Sequence, residues 1–579
     1  MNDGFGIAGL SALDRHFGRF IGAFSNPPDP LVVLAAALVS RAAARGDVCL
    51  ELATAGDLEP GMAPDPESWT AALKRSPAIG RPGQKRPLIL DEHGRLYLCR
   101  YWDYEDRLAR DFCGRAEREA ALDPLHLDSL VQAVFERLPG QPDADQRAAA
   151  AAAGRRGVTV ITGGPGSGKT YTITAILDLL RRLQEGRPLR ALLTAPTGKA
   201  AARLQESLRR VGLPGGGDAP VEVATIHRLL QPVPGTSRFR HDRARPLAAD
   251  AVVVDEASMV DLALMAKLAD AVPPEARLIL VGDRHQLASV EAGSVLGDLC
   301  GGDRAGAGAA GGPRALDGCI VELTRSYRFA PGSAIGELSR AVNAGDARGA
   351  LDLLAHDRSG TVEWMDPAAG PGVEATVRQR IVEGYRPLVE AAEPDEALAA
   401  IARFKLLCAH AAGPSGVETV NRTAERLLRR GGGIPAGGGA GQWYGGRPVL
   451  VTRNDYTLAL FNGDIGVTLP DPATGRLCVH FPGSAGQSRP VAPQRLPEHE
   501  TAYALTVHKS QGSEFDEVLL ILPERDSPVL TRELLYTAIT RARNRIVVCG
   551  RAEVVATAVG RRIRRASGLR DTLWGPDPA

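Results

Sequence analysis

The segment 163-GGPGSGKT-170 combines glycines, a lysine and a threonine in a pattern that can hold phosphate groups. It fits G-x-x-x-x-G-K-[ST], follows the β-branched run 158-VTVIT-162 and opens an apolar segment with helical periodicity. Backbone N–H groups and a helix N-terminus then face the phosphates, Lys169 reaches the β and γ oxygens, and Thr170 can ligate Mg²⁺. A purely structural glycine turn would not require the Lys-Thr pair, so we expect a nucleotide here. The expected contacts are Gly163, Gly164, Pro165, Gly166, Ser167, Gly168, Lys169 and Thr170.

Two acids and a glutamine follow later β-rich runs. In 251-AVVVDEASMVD-261, Asp255 at the end of the apolar run is placed to hold Mg²⁺, and Glu256 can polarise an attacking water. Acid pairs at strand ends are often only solvated turns, but the phosphate loop that precedes this pair favours the catalytic interpretation. In 278-LILVGDRHQLASV-290, Gln286 follows the next run and could sense the γ-phosphate.

Three arginines could complete such a site from a second domain. Arg541 and Arg543 lie in 535-LYTAITRARNRIVVCG-550, on a predicted helix that leads into a strand, and 323-LTRSYRF-329 supplies Arg328. An arginine aimed at the γ-phosphate across a cleft stabilises transition-state charge and couples hydrolysis to closure. Lysine accounts for only seven of the 69 basic residues, so a single arginine in this chain is more typical of a surface ion pair.

Alternating strand and helix patterns must position these groups. Near-continuous apolar runs joined by helices are typical of parallel sheets covered on both faces. Two series occur, so we expect two α/β sheets: VTVIT, ALLTAP, AVVVDEA and RLILVGD first, then FKLLCAH, EVLLILP and RIVVCG. Before residue 140, a helical pattern at 31–46 and apparent strands across 88–102 predict a separate mixed α/β domain. Glycine-rich tracts at 301–313 and 431–442 predict surface loops or linkers.

Composition bounds the class of protein without identifying it. A chain of 579 residues needs more than one core, and about three to four domains are expected. The net charge of +1 neither requires nor excludes a polyanionic partner. Eight scattered cysteines without a C-x-x-C pair argue against a zinc site or a disulfide framework. The N-terminus lacks a signal-peptide pattern and no apolar run approaches a membrane span, so a soluble cytoplasmic protein without a membrane partner is expected.

Taken together, these motifs resemble the superfamily 1 DNA helicases over residues 140 to 550. The matching segments occur in that family's order: the phosphate loop, TAPTGKAA, ATIH, VVDEASM, VGDRHQL, LTRSYRF, TVHKSQGSEFD and YTAITRAR. TVHKSQGSEFD at 506–516 resembles the 5′→3′ branch. The resemblance implies ATP and Mg²⁺ as cofactors, Gln146 as an adenine-reading residue, and Gly512 and Glu514 as further nucleotide contacts. It also implies candidate DNA contacts, which are Thr194, Thr197, Thr225, His227, Thr506 and His508.

Further segments are similar to the α subunits of bacterial exonuclease V, the RecBCD-type helicase–nucleases. They are LDRHFGRF, GDVCLEL, YLCRYWDYE, LCAHAAGPSGVETVN and FNGDIGV. This resemblance implies an α/β fold with two RecA-like P-loop NTPase domains, the first at 136–325 and the second at 326–449 plus 500–579. It adds a small SH3-like β insertion at 450–499 and an N-terminal mixed α/β partner-binding domain at 1–135.

The implied function is an ATP-dependent 5′→3′ DNA helicase motor that acts in double-strand break repair and homologous recombination. Its implied partners are single-stranded and duplex-end DNA, a RecB-type helicase–nuclease and a RecC-type subunit in a heterotrimer. Two alternatives remain: a stand-alone superfamily 1 helicase, and a scaffold subunit that nucleotide binding merely locks. None of the seven lysines has an acid two residues before it, so we predict that the chain has no nuclease site of its own.

Overall fold

A computed structural model describes residues 9–53, 64–184, 186–211, 222–301, 316–370, 372–434, 443–483 and 487–575. The N-terminal part contains α1 (Ala12–Gly22), α2 (Pro30–Ala44), β1 (Cys49–Glu51), α3 (Pro66–Arg75), β2 (Ile79–Gly80), β3 (Leu88–Leu90), β4 (Arg95–Leu98) and α4 (Cys99–Glu117). Its four strands form one sheet in the order β1-β4-β3-β2. The mixed α/β pattern is therefore observed, but residues 99–102 were wrongly expected to be a strand. They begin α4, and one face of this helix buries Leu108 and Phe112.

The first motor sheet has six parallel strands in the order β10-β5-β9-β8-β6-β7. Its elements are α5 (Pro124–Arg137), α6 (Ala144–Arg155), β5 (Val158–Gly163), α7 (Lys169–Leu183), β6 (Ala191–Ala195), α8 (Gly198–Val211), β7 (Glu222–Thr225), α9 (Ile226–Leu230), β8 (Ala251–Val254), α10 (Leu262–Ala271), β9 (Arg277–Gly282), α11 (Val295–Leu299) and β10 (Ile320–Leu323). The strands β5, β8 and β9 are buried almost throughout, which explains their continuous apolar sequences. Their parallel direction brings the phosphate loop, the acids and Gln286 to one edge.

The second motor sheet begins after β10 and is interrupted by a smaller sheet. The segment before the interruption contains α12 (Ala334–Ala344), α13 (Ala347–His356), β11 (Val362–Met365), α14 (Gly372–Glu390), α15 (Pro394–Arg403), β12 (Phe404–Cys408) and α16 (Val417–Arg430). The insertion contains β13 (Pro448–Val451), β14 (Ile465–Pro470), β15 (Leu477–Pro482), β16 (Ser488–Val491) and β17 (His499–Thr501). These five strands pair antiparallel in the order β16-β15-β14-β13-β17.

The chain then returns to complete the second parallel sheet, whose order is β11-β20-β19-β12-β18. The returning elements are β18 (Ala504–Thr506), β19 (Phe515–Ile521), α17 (Arg532–Ile539), β20 (Ala542–Cys549), α18 (Ala552–Gly560) and α19 (Leu569–Trp574). Two parallel α/β sheets, a small antiparallel insertion and an N-terminal mixed domain confirm the expected fold class.

Most of each glycine-rich tract, residues 302–313 and 435–442, lies outside the described residues. Within the part of the chain that the structure covers, no helix combines the length and apolar character needed to cross a bilayer.

Candidate nucleotide and DNA site

The phosphate loop is the turn between β5 and α7, and its glycines are fixed by close neighbours. Gly166 and Gly168 have φ angles of +75° and +83°, in the left-handed region. A Cβ on Gly166 would lie 2.4 Å from the Cβ of Arg328, and a Cβ on Gly168 would lie 2.4 Å from Nε2 of Gln146. The loop therefore packs directly against residues expected from sequence to read the nucleotide.

The chemical groups of this loop suit an anionic ligand. The Lys169 ammonium donates to the carbonyl oxygens of Gly163 and Gly164 at 2.7 and 3.0 Å, which holds it inside the loop. The buried Ser167 hydroxyl has no hydrogen-bond partner among the described residues. Thr170 is the second residue of α7, next to the free N–H groups of the helix N-terminus. A cation, an unpartnered hydroxyl and a helix N-terminus at one turn fit the phosphates of ATP.

The two acids lie directly after β8, beside the phosphate loop. Oδ1 of Asp255 accepts a hydrogen bond from the Glu256 N–H at 2.9 Å. Loss of hydration, followed by repulsion from Glu256, raises the pKa of Asp255 to about 6, while Lys169 opposes the rise. Glu256 adopts φ +51°, an uncommon conformation for a residue with a side chain. Such strain at a paired-acid turn accompanies functional sites more often than solvated turns.

Gln286 lies where the two motor sheets meet. Its amide donates to Oδ2 of Asp283 at 3.0 Å, and the Tyr536 hydroxyl of α17 donates to the same oxygen at 3.0 Å. The next residue, Leu287, donates its N–H to the Thr537 hydroxyl at 3.0 Å and accepts from the Gln511 amide at 3.0 Å. Gln286 therefore lies in a hydrogen-bonded network that joins the two motor domains.

Gln146 lies at the other side of the loop, and sequence reasoning missed its neighbour Tyr327. Gln146 is buried, and its amide Nε2 lies 3.5 Å from the Ser167 carbonyl oxygen. The Tyr327 hydroxyl can donate to Oδ2 of Asp143 at 3.1 Å or to Oε1 of Gln146 at 3.3 Å. The Tyr327 N–H donates to the Gly166 carbonyl oxygen at 2.8 Å. Tyr327 is 46% exposed, so its ring can stack on a base. The sequence signal that could have identified Tyr327 is its position directly before Arg328 in LTRSYRF.

Arg328 faces the phosphate loop from the second domain. One of its terminal nitrogens pairs with Glu514, whereas Nη1 is buried and has no hydrogen-bond partner among the described residues. Glu514 also pairs with Arg543 at 3.2 Å. Burial opposes ionisation of Glu514, but Arg328, Arg541 and Arg203 together hold the pKa of that carboxyl below its ordinary value. The unpartnered Nη1 is therefore free to meet an anion.

Arg541 is placed differently from the sequence expectation. The helix α17 ends at Ile539, so Arg541 lies in the turn before β20 and Arg543 lies within β20; placing both on a helix was wrong. Arg541 is buried, and its guanidinium donates to the carbonyl oxygens of Thr537 and Ser513 at 3.1 Å each. Burial lowers its pKa, with Glu256 first among the acids that oppose the change.

Lys199 and Arg203 on α8 join the first motor sheet to the second, which sequence reasoning also missed. Lys199 donates to the Ser513 hydroxyl at 2.6 Å and to the Gly463 carbonyl oxygen at 3.1 Å. Arg203 donates to the carbonyl oxygen of Gly512. Burial, followed by Arg203, lowers the pKa of Lys199 to about 8. Gly512 and Glu514 thus lie at the junction of the two motor domains, and their contacts to a nucleotide stay a prediction.

The threonines expected to contact DNA make local hydrogen bonds. Thr197 accepts from the Ala200 N–H at 3.2 Å, Thr225 caps α9 by accepting from Arg228 at 3.3 Å, and Thr506 accepts from Lys509 at 3.1 Å. Thr194 is fully buried in β6, and its hydroxyl has no hydrogen-bond partner among the described residues. A threonine that makes such a local hydrogen bond can still contact DNA. The DNA contacts of these four threonines therefore stay a prediction.

The two histidines of the expected DNA path differ in exposure. His227 is exposed on α9, and its ring lies 5.8 Å from the ring of Phe239. His508 is half-buried, and burial, followed by Arg565, lowers its pKa. A neutral imidazole at His508 can donate one hydrogen bond to a backbone phosphate without a fixed charge. Both remain candidate DNA contacts.

These elements define a helicase motor with two parallel α/β domains and a nucleotide site between them. Family models match the chain at residues 146–292, described as an AAA domain, and at 501–549, described as a UvrD-like helicase C-terminal domain. A third matches residues 8–97 and is described as the N-terminal domain of the RecBCD enzyme subunit RecD.

Curated relatives identify the family. The RecBCD enzyme subunit RecD of Mycolicibacterium smegmatis is 42% identical, over 97% of this chain and 97% of the relative. The ATP-dependent RecD2 DNA helicase of Deinococcus radiodurans is 34% identical, over 71% of this chain and 49% of the relative. Among solved structures, Pif1 helicase from Candida albicans matches with a TM-score of 0.38 and 16% identity, over 74% of this chain and 95% of that chain. The chain belongs to the RecD family of RecBCD enzyme subunits. It is a nucleotide-binding DNA helicase and the motor subunit of a RecBCD-type complex.

Proposed function

We propose that this chain hydrolyses ATP with Mg²⁺ to move 5′→3′ along single-stranded DNA, as one motor of a heterotrimer with RecB-type and RecC-type subunits. The observation that carries the proposal is the packing of the phosphate loop against Arg328, with Glu256, Arg541 and Glu514 at the same cleft. The first sheet provides the phosphate loop, and the second domain provides the cations. Hydrolysis at such a cleft changes the fit between the domains, which drives translocation.

Each polar group of the cleft has an assigned role. Lys169 and the N–H groups of the phosphate loop hold the phosphates, and Thr170 and Asp255 hold Mg²⁺, which supplies charge neutralisation when bound. Glu256 polarises the attacking water, and Gln286 passes the state of the nucleotide to α17 through Asp283. Arg328 and Arg541 offset the negative charge that develops on the phosphate oxygens.

We assign residues 1–135 to partner docking, 136–325 to the first motor domain, 326–449 and 500–579 to the second, and 450–499 to the SH3-like insertion. Double-strand break repair and homologous recombination in the cytoplasm follow from membership of such a helicase–nuclease. Phe20 within α1 and Phe24 just after it are exposed and pack edge to face, and Leu13 of α1 is 73% exposed. Contiguous exposed apolar side chains on this domain support docking of another subunit there.

The alternatives are a stand-alone helicase and a nucleotide-locked scaffold. The chain spans only 49% of the RecD2 helicase, but 97% of the RecBCD subunit from M. smegmatis, which favours the subunit. The scaffold alternative is opposed by the cleft, which contains both candidate catalytic acids together with Lys169, Arg328 and Arg541. DNA-stimulated release of phosphate distinguishes a motor from a scaffold.

The test uses the full-length chain, alone and with its RecB-type and RecC-type partners, on duplexes that carry a 5′ or a 3′ single-stranded tail. We expect DNA to stimulate ATP hydrolysis and the 5′-tailed duplex to be unwound. Unwinding that prefers the 3′ tail would overturn the direction, and hydrolysis indifferent to DNA would overturn the motor.

Docking is tested by point substitution. Deleting residues 1–135 is unsuitable because α4 shares one hydrophobic core with α10 of the first motor domain. Phe20→Asp should prevent co-purification of the partner subunits and leave DNA-stimulated hydrolysis intact. Leu125→Asp, at a still more exposed position on α5, is the control and should assemble normally, because α5 packs against the first motor sheet and not against α1. Normal assembly of Phe20→Asp would show that the partner subunits dock on another surface.

A further inference from the structure

The loop between β13 and β14, residues 452–464, lies against the first motor domain and is called the insertion loop below. Its Phe461 ring packs so closely on Gly198 that a Cβ there would lie 2.4 Å from the ring. Its Gly463 carbonyl oxygen accepts from the Lys199 ammonium at 3.1 Å. The insertion loop is therefore attached to the start of α8, directly after Thr197 of the expected DNA path.

Tyr456 is held at the surface of this loop. The residue is 53% exposed, although the chain buries most of its large hydrophobic side chains. The Arg228 guanidinium of α9 lies 5.6 Å from the centre of its ring, and the Phe461 ring lies 6.0 Å away at 68°. A cation and an aromatic edge thus fix the orientation of a ring that still faces solvent.

The backbone beneath Tyr456 is preorganised. Ala459 adopts φ +47°, a conformation that costs free energy for a residue with a Cβ. Arg489 of β16 donates to the carbonyl oxygens of Leu458 and Ala459, and Oδ1 of Asp455 accepts from the N–H groups of Thr457 and Leu458 at 2.9 Å each. Strain maintained by several hydrogen bonds at an exposed aromatic residue indicates a binding role.

We propose that Tyr456 and Arg228 form a stacking platform for one base of single-stranded DNA. Arg228 lies three residues after Thr225 and next to the exposed His227, so the platform continues the expected path of the strand. Every base has an aromatic face, so stacking on Tyr456 grips DNA without reading its sequence. The guanidinium adds attraction to a neighbouring phosphate. This inference rests on the proposed DNA motor and names a contact of that motor.

The insertion loop contacts α8 and α9 of the first motor domain, and Arg489 of β16 holds it to the insertion. The platform therefore lies where the insertion meets the first motor domain, and both units position the stacked base.

The test measures the affinity of the full-length chain for fluorescent oligothymidine by anisotropy, and repeats it with a single abasic site at each position in turn. Tyr456→Ala should weaken binding to the intact strand about tenfold, since stacking of one base contributes roughly 1–3 kcal/mol. At one strand position the abasic site should weaken wild-type binding by a similar factor. Combining that site with Tyr456→Ala should add nothing further, because both changes remove the same contact.

Tyr456→Phe keeps the ring and should bind like the wild type. Val529→Ala is the matched control, because Val529 is also exposed but lies in the second motor domain. Thermal unfolding midpoints establish that each variant is folded. Unchanged binding by Tyr456→Ala overturns the platform, and so does equal weakening on the intact strand and on every abasic strand. Loss of partner subunits with unchanged DNA affinity also overturns it and makes Tyr456 a protein contact. A wild-type chain that binds no single strand would refute the motor itself.

Discussion

Replacing Arg541 with alanine tests whether a buried arginine acts on the transition state or only supports the fold. The guanidinium is 3% exposed and donates to the carbonyl oxygens of Thr537 and Ser513. A hydrogen bond from a charged donor contributes roughly 1.5–3 kcal/mol, and removal of the buried cation relieves part of its desolvation cost. We expect Arg541→Ala to lower the free energy of unfolding by about 2–4 kcal/mol. A domain of ordinary stability remains folded after such a loss.

The effect on turnover should exceed the effect on binding. An arginine aimed at a transferring phosphoryl group raises kcat by about 10³-fold or more, which corresponds to roughly 4 kcal/mol of barrier. Arg541 is near Glu256 and Glu514 in the cleft, so its charge is already compensated before the transition state forms. We therefore expect nucleotide affinity to change little while DNA-stimulated kcat falls about 10³-fold.

The assay pairs fluorescent-nucleotide titration with phosphate release, at a temperature well below the unfolding midpoint of the variant. Arg543→Ala is the matched control, since Arg543 lies two residues away but is half-exposed and pairs with Glu514 at the surface. Such a pair contributes roughly 0–1 kcal/mol, so Arg543→Ala should retain both stability and turnover. Equal losses of affinity and kcat in Arg541→Ala would assign it a ground-state role. Turnover within about threefold of wild type would remove Arg541 from the catalytic set.

Three further predictions concern other parts of the chain. Lys169→Ala should remain folded and lose ATP hydrolysis, because the ammonium serves the phosphate loop and not the core; near-normal phosphate release would contradict the loop assignment. The purified chain should not degrade linear DNA in the presence of Mg²⁺, and cleavage by the isolated chain would refute the absence of a nuclease site. Burial raises the pKa of Glu105 to about 6 from 4.5, so the folded state favours the protonated carboxyl and loses stability as pH rises from about 4.5 through 6. Glu105→Gln should reduce this loss by about 2 kcal/mol in denaturant unfolding, and an unchanged pH dependence would contradict it.

The sequence predicted the first motor sheet and its phosphate loop because their signals are local. A buried parallel strand is a continuous apolar run, and the residues that follow β5, β8 and β9 lie at one edge of one sheet. The same reasoning failed at α4, where 97-YLCRYWDYE-105 alternates like a strand. Its aromatic side chains pack against α10 and hold it helical, which is a tertiary contact that periodicity does not show.

The DNA contacts could not be separated from helix caps by sequence. Thr225 accepts the N–H of Arg228 at the start of α9, and a threonine with this role is found at the N-terminus of many helices. Tyr456 illustrates the opposite failure. Nothing in 454-NDYTLALF-461 marks the tyrosine, and its significance arises only from the approach of Arg228, more than 200 residues earlier in the chain.

The C-terminal segment 561–575 contacts residues that lie far from it in the sequence, in the N-terminal domain and in the first motor domain. After α18 the end of the second motor domain lies against the N-terminal domain, where the Val48 N–H donates to the Ala566 carbonyl oxygen at 2.8 Å. The Ser567 hydroxyl donates to buried Glu105 at 2.9 Å, while Arg565 donates to the carbonyl oxygen of Gly293 in the first motor domain at 2.9 Å. One short segment thus joins the second motor domain to both other domains. Relative motion of the two motor domains must be absorbed before Arg565, in the few residues after α18. We therefore expect the N-terminal domain to move with the first motor domain, so that a partner subunit docked on α1, as proposed above, would be held by the part of the motor that carries the phosphate loop.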